Sequence, residues 1–113
     1  RMLVAHASES VPGMSDEDQR RCAALGAYIE HCLLAVTPSM ADRIPMSEIA
    51  RQIRAVGVEH VIVSSDFGQA ANGPVVPAYA RYLAELQAEG FSDDEMRCMI
   101  ADNPKKLMQA GLR

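Results

Sequence analysis

The chain has no tryptophan and only two phenylalanines and three tyrosines among 113 residues, so its 49% hydrophobic content comes from Ala, Val, Ile, Leu and Met. With 23% charged residues this is the composition of a globular domain built on an aliphatic core. There is no basic stretch to offset the net charge of −4, so no surface tracks a phosphate backbone and nucleic acid is excluded as a partner. Long hydrophobic runs are missing too. "CLLAV" and "VIV" fall far short of the roughly 20 residues that span a bilayer, and no charged-then-apolar leader precedes a small-residue cleavage site. The chain therefore reads as cytoplasmic, with no membrane contact. Cys22, Cys32 and Cys98 are an odd number at wide spacings, which suits neither a disulfide framework nor a Cys-x-x-Cys zinc knuckle. Reduced thiols are expected, with Cys22 and Cys98 as small core or boundary residues of helices.

The length suits one compact domain, residues 1–113. "RMLVAHAS" opens with an apolar strand, Met2 to Ala5, that ends on His6. Ser15 caps "DEDQRRCAAL", which has acids in its first turn and Gly26 as its stop. "AYIEHCLLAV" is a second apolar segment with Glu30 and His31 in its middle, followed by the Pro-punctuated loop "TPSMADRIP". Met46, Ile49, Ile53 and Val56 recur at helical steps, and Gly57 ends that helix. "VEHVIVSS" is a third strand, with consecutive β-branched residues as expected for a strand covered on both faces. Past the loop "DFGQAANG", Pro74 and Pro77 flank the start of a helix with Val76, Tyr79, Tyr82, Leu83 and Leu86 on its apolar side and Gly90 as its stop. Ser92 and Glu95 form a capping box for "DDEMRCMIAD", and "NPKKLMQAGL" restarts a short helix at Pro104.

Strand and helix alternate three times, which predicts an α/β fold with parallel strands joined by right-handed crossovers. A three-stranded open sheet would leave bare edges. A complete barrel takes roughly 250 residues, so the expectation is a partial (β/α) barrel, about three strand-helix units plus C-terminal helices, forming the closing portion of a larger one. A stand-alone flavodoxin-like domain would need more strands.

In parallel α/β folds the working residues gather at the C-terminal strand ends. His6 ends the first strand and Asp66 the third, while Glu30 lies on the second. Strand alternation groups Val4 with His6, then Tyr28, Glu30 and Cys32, then Ile62, Ser64 and Asp66. If each group faces the interior, His6, Glu30 and Asp66 converge as metal ligands, and imidazole with carboxylate suits a divalent ion such as zinc. His31 then faces away from Glu30, and His60 sits at the strand start, the end tied to stability. Ser64 and Ser65 lack the G-x-S-x-G elbow of a nucleophilic serine. "DFGQ" has no accompanying kinase motifs, and the glycines of "GQAANGP" are too far apart for a phosphate loop.

Together, "VAHAS", "VIVSSDFGQ" and "ADNPKKLM" resemble the C-terminal part of metal-dependent hydrolases of the amidohydrolase superfamily, including phosphotriesterase-like and PHP-like barrels. The resemblance implies a TIM barrel in which Asp66 orients or deprotonates the attacking water and His6 is a metal ligand or polarises the substrate. It also implies hydrolysis of an amide, ester or phosphoester of a small molecule through metal-activated water. Asn103-Pro104 with Leu107 matches the family's closing helix. The family's His-x-His after the first strand has no counterpart here, so the chain alone is expected to bind metal weakly and to need the missing N-terminal half of the barrel or a homo-oligomeric partner. The alternative expectation is a non-catalytic α/β module that self-associates through exposed strand edges.

Overall fold

A computed structural model describes residues 2–109. Strands β1 (Met2–Val4), β2 (Ala27–Cys32) and β3 (Val61–Ser64) form a parallel sheet in the order β1-β2-β3. Helix α1 (Asp16–Ala24) joins the first pair and α2 (Met46–Val56) the second. Helices α3 (Val75–Ala88), α4 (Asp93–Arg97) and α5 (Asn103–Gln109) follow β3. The fold is α/β, as its alternating pattern predicts. Among the described residues no helix is long and apolar enough to cross a membrane.

The strands are shorter than the apolar runs that contain them. Leu33–Val36 and Val58–His60 are single 3-10 turns, so β2 stops at Cys32 and β3 starts at Val61. Register places Val4 beside Ile29 and Ile29 beside Val61, so these three share a face. That face receives the helices. Ile29 packs with Ala7, Ala23 and Val4, while Val61 and Val63 pack with Ile49 and Ile53 of α2, Leu86 of α3 and Met99. The other face carries Leu3, Tyr28, Glu30, Cys32, Ile62 and Ser64. Every residue of β2 except Glu30 is buried, because β2 alone has a neighbour on each side.

Between α1 and α2 the buried amide of Gln19 donates to Gln52 Oε1 at 2.8 Å. On α2, Ile49, Ala50 and Ile53 are buried as the periodicity predicts, and Gly57 ends the helix at φ 101°, a conformation that disfavours any side chain. Helix α3 differs from expectation. It buries Ala78, Tyr82 and Leu86 but leaves Val76 78% exposed, because Val76 lies in the first turn, beyond the reach of the sheet.

Ser92 and Glu95 make the expected capping box. The chain does not restart at Pro104, however: Cys98–Asp102 form a π turn that runs without a break into α5. That wider turn suits Pro104, whose nitrogen cannot donate to the carbonyl one turn back. Asn103 is fully buried, and its Nδ2 donates to Val58 O at 2.8 Å and Val61 O at 2.7 Å, tying the closing helix to the start of β3. The part of "NPKKLMQAGL" beyond residue 109 lies outside the described residues.

Candidate metal centre at the strand ends

His6, Glu9, Cys32 and Asp66 converge at the C-terminal rim of the sheet, with one donor atom from each lying within 4.8 Å of the others. Each strand or the loop after it contributes. His6 and Glu9 follow β1, Cys32 is the last residue of β2, and Asp66 lies two residues past β3. The backbone roots of the three segments are bonded together. Ala7 N donates to Glu30 O at 3.1 Å, carrying the β1–β2 pairing past the strand's end, and Leu34 N donates to Ser65 O at 3.0 Å across β2 and β3.

His6 does not reach this cluster by strand alternation. Val4 lies on the helix-packed face beside Ile29, so a continued strand would send His6 to the same side, away from Cys32. Instead β1 ends at Val4 and His6 takes φ 59°, which redirects its side chain to the rim. Asp66 also takes a positive φ, 54°. Among the described residues these are the two non-glycine positions with positive φ, and both belong to the cluster. His and Asp tolerate the left-handed region better than most residues, yet each still costs on the order of 1 kcal/mol, a strain that recurs at functional sites. The Asp66 conformation is braced from the loop, where Gln69 Nε2 donates to Asp66 O at 3.1 Å and Phe67 N to Ser65 Oγ at 3.3 Å.

His6 Nδ1 donates to Glu9 Oε1 at 2.9 Å. This bond, reinforced by the charges of Glu9, Asp66 and Glu30, raises the imidazole's pKa above its ordinary value despite some opposing desolvation. Cys32 is pushed the other way in charge. Burial raises its thiol to about 11, the carboxylates of Glu30, Asp66 and Glu9 add to the shift, and the hydrogen bond from Ser64 Oγ at 3.4 Å offsets part of it. The Cys32 thiol is therefore protonated at neutral pH.

That environment fits a divalent cation. Imidazole, thiol and carboxylate are the donor types zinc accepts, at about 2.0–2.3 Å, which puts tetrahedral ligand atoms roughly 3.3–3.8 Å apart. The four donors lie within 4.8 Å of one another, about an ångström beyond that spacing. A bound cation would also ionise the Cys32 thiol, which burial and the nearby carboxylates otherwise keep protonated.

Two of these donors, Glu9 and Cys32, were not singled out from the sequence. Their signals are faint: Glu9 stands three residues after His6 in "HASE", and Cys32 is the residue of the Glu30 face nearest the strand end. Glu30, the expected third ligand, is not in the converging group. It precedes Cys32 by two residues and so lies about 7 Å below the rim, acting on His6 and Cys32 through its charge. His31 faces the opposite side. It is fully buried, its Nδ1 meets Ser8 Oγ, and its Nε2 has no partner. His60 stays in the turn before β3, at the far end of the sheet from His6. Compared with known protein families, curated proteins and solved structures, the chain finds no match.

Proposed function

We propose that this chain is the closing part of a (β/α) barrel of amidohydrolase type, a cytoplasmic metal-dependent hydrolase acting on an amide, ester or phosphoester of a small molecule. The observation that carries the reading is the convergence of His6, Glu9, Cys32 and Asp66 at the C-terminal ends of consecutive parallel strands. The strand order supports it as well. A sequential β1-β2-β3 order sends successive crossovers the same way and stacks their helices on one face, as in a barrel, whereas a flavodoxin-like sheet reverses direction at a switch point.

Within this reading Glu9 fixes the tautomer and orientation of His6, leaving Nε2 for the metal, in the manner of the carboxylate partners that orient metal-bound imidazoles. His6, Cys32 and Asp66 are then the ligands, three in number as in catalytic zinc sites, which keep a position for water or substrate. When bound, the cation supplies Lewis acidity and makes coordinated water acidic enough to attack near neutral pH. Asp66, the exposed member of the cluster, would be the residue to orient a water at the site and accept its proton. Cobalt(II) titration tests the centre, since a Cys32 ligand produces a thiolate-to-cobalt charge-transfer band. Hydrolysis of amide, ester and phosphoester panels is then measured for the chain joined to the upstream half of the barrel. Loss of turnover in Asp66→Asn is the expected result; undiminished turnover in that variant, or no cobalt binding, refutes the assignment.

A second reading rests on the β1 edge, where Met2 is 64% and Leu3 39% exposed on a strand with one free side. Such an edge would pair with another copy of the chain in a non-catalytic assembly. Sedimentation at several concentrations separates the readings: a stable dimer abolished by Leu3→Glu, with no metal bound, favours the module over the hydrolase.

A further inference from the structure

Beside the strand-end cluster lies a cleft of different character. Pro38 and Ser39 from the loop after β2, Ala71, Asn72 and Gly73 from the loop after β3, and Arg81 and Tyr82 of α3 line a cavity of about 400 Å³. A second recess of similar size opens on Pro74, Pro77 and Ala78 and shares Asn72, Gly73 and Arg81. Arg81 is the one charged residue in either lining. Like Arg21 and Arg43, it makes no ion pair or side-chain hydrogen bond among the described residues, whereas Arg20, Arg51, Arg54 and Arg97 each pair with a carboxylate.

Arg81 is nevertheless held in place. Its guanidinium sits 4.7 Å over the Tyr82 ring, and that buried ring packs on Phe67 with centroids 5.7 Å apart. A guanidinium braced against an aromatic face loses little freedom on binding and keeps its planar fork for an oxyanion. The polar groups around it are fixed as well: Ser39 Oγ shares a hydrogen bond of 2.7 Å with buried Thr37, and Asn72 Nδ2 donates to Gln69 Oε1 at 3.0 Å. The cleft is also connected to the metal cluster. Gln69 bonds Asp66 O, and Phe67 follows Asp66 directly, so one loop sets both the rim carboxylate and the cleft wall. By contrast, the recess at the β1 edge, lined by Met2, Cys22, Leu25, Gly26 and Ala27, offers no charged group.

We propose that this cleft is an anion subsite in which Arg81, with Ser39 and Asn72, binds the oxygens of a carboxylate or phosphate. Its use as the anchor for the non-reacting end of a substrate rests on the hydrolase reading; the binding itself does not. The size suits a small ligand, and the acidic cluster next to it would repel an anionic group, so the charged end goes to Arg81 and the scissile bond to the rim.

The test is amide-resolved NMR titration of the chain with inorganic phosphate and, separately, acetate at constant ionic strength, with chloride as control. Saturable shifts at Ser39, Asn72 and Gly73 with either anion, absent with chloride, are the expected result, and the tighter of the two identifies the source chemistry. Arg81→Gln weakens that binding about tenfold or more, as loss of charge-assisted hydrogen bonds requires, while Arg81→Lys recovers part of it. Arg81 is exposed, so neither variant threatens folding. Asp66→Asn, which removes a neighbouring negative charge, leaves the binding intact or tighter, which keeps this result apart from the fate of the metal centre. Shifts equal to those with chloride, affinity indifferent to Arg81→Gln, or binding lost in Asp66→Asn each overturn the subsite.

Discussion

His31 gives the fold a pH dependence whose size follows from its burial. The imidazole is fully buried on the helix-packed face, with Ser8 at Nδ1 and no partner at Nε2. Burial lowers its pKa from 6.5 to about 4. In the unfolded chain it takes up a proton near pH 6.5, while in the folded chain it stays neutral until about pH 4. Folding stability therefore falls as pH drops through that window and levels off below it. One group separated by that interval contributes about 3 kcal/mol, with a limiting slope of about 1.4 kcal/mol per pH unit. His6 works in the opposite sense: its raised pKa adds stability below pH 6.5 that is lost as pH rises through the folded value, and its partial exposure keeps that contribution small. The paired carboxylates of Asp16, Glu48 and Glu95 have lowered pKa values, so what they contribute fades at more acid pH still. Urea unfolding of the wild type and of His31→Phe at half-unit steps between pH 7.5 and 4 isolates the effect as the difference in slope. The variant is expected to lose most of the dependence over this window. Parallel curves, or an NMR titration placing the His31 pKa near 6.5, would refute the reasoning.

Asn103→Ala removes two side-chain hydrogen bonds to the carbonyls of Val58 and Val61 and leaves those acceptors buried, so thermal unfolding should show a loss of about 2–4 kcal/mol with cobalt binding unchanged. Ile53→Ala, on the fully buried stripe of α2, should cost about 2–5 kcal/mol in urea titrations with the helix content preserved. Without metal, Cys32, buried and with a thiol at about 11, should react with a thiol reagent at pH 8 more slowly than the partly exposed Cys22 and Cys98 in cysteine-to-serine pairs. Equal rates for the three would remove the case for its buried, carboxylate-flanked environment.

The sequence makes the elements legible where a local pattern meets a local stop signal. Ile49 and Ile53 on α2, Gly57 after it, and Ser92 with Glu95 at the start of α4 lie where they do for reasons contained within a few residues. Placing His6 and Asp66 at strand ends also follows from local reading. What escapes is everything that depends on a break in periodicity. Alternation alone puts His6 with Val4, and only the left-handed turn at His6 delivers it to Asp66. A carboxylate on the interior face marks Glu30 as a ligand candidate, whereas a single thiol on the same face does not mark Cys32. Depth along the strand separates them, and depth is set by where β2 stops.

Hydrophobic periodicity and capping chemistry in this chain are enough to specify three parallel strands, the helices between them and the faces those helices bury. Both are short-range properties, fixed by backbone geometry and side-chain entropy within one or two turns. The convergence of His6, Glu9, Cys32 and Asp66, the isolation of His31, and the cleft around Arg81 were decided only by tertiary structure. Each requires side chains far apart in sequence to meet at one depth and on one side of a sheet, and that meeting depends on strand register and on two strained left-handed residues.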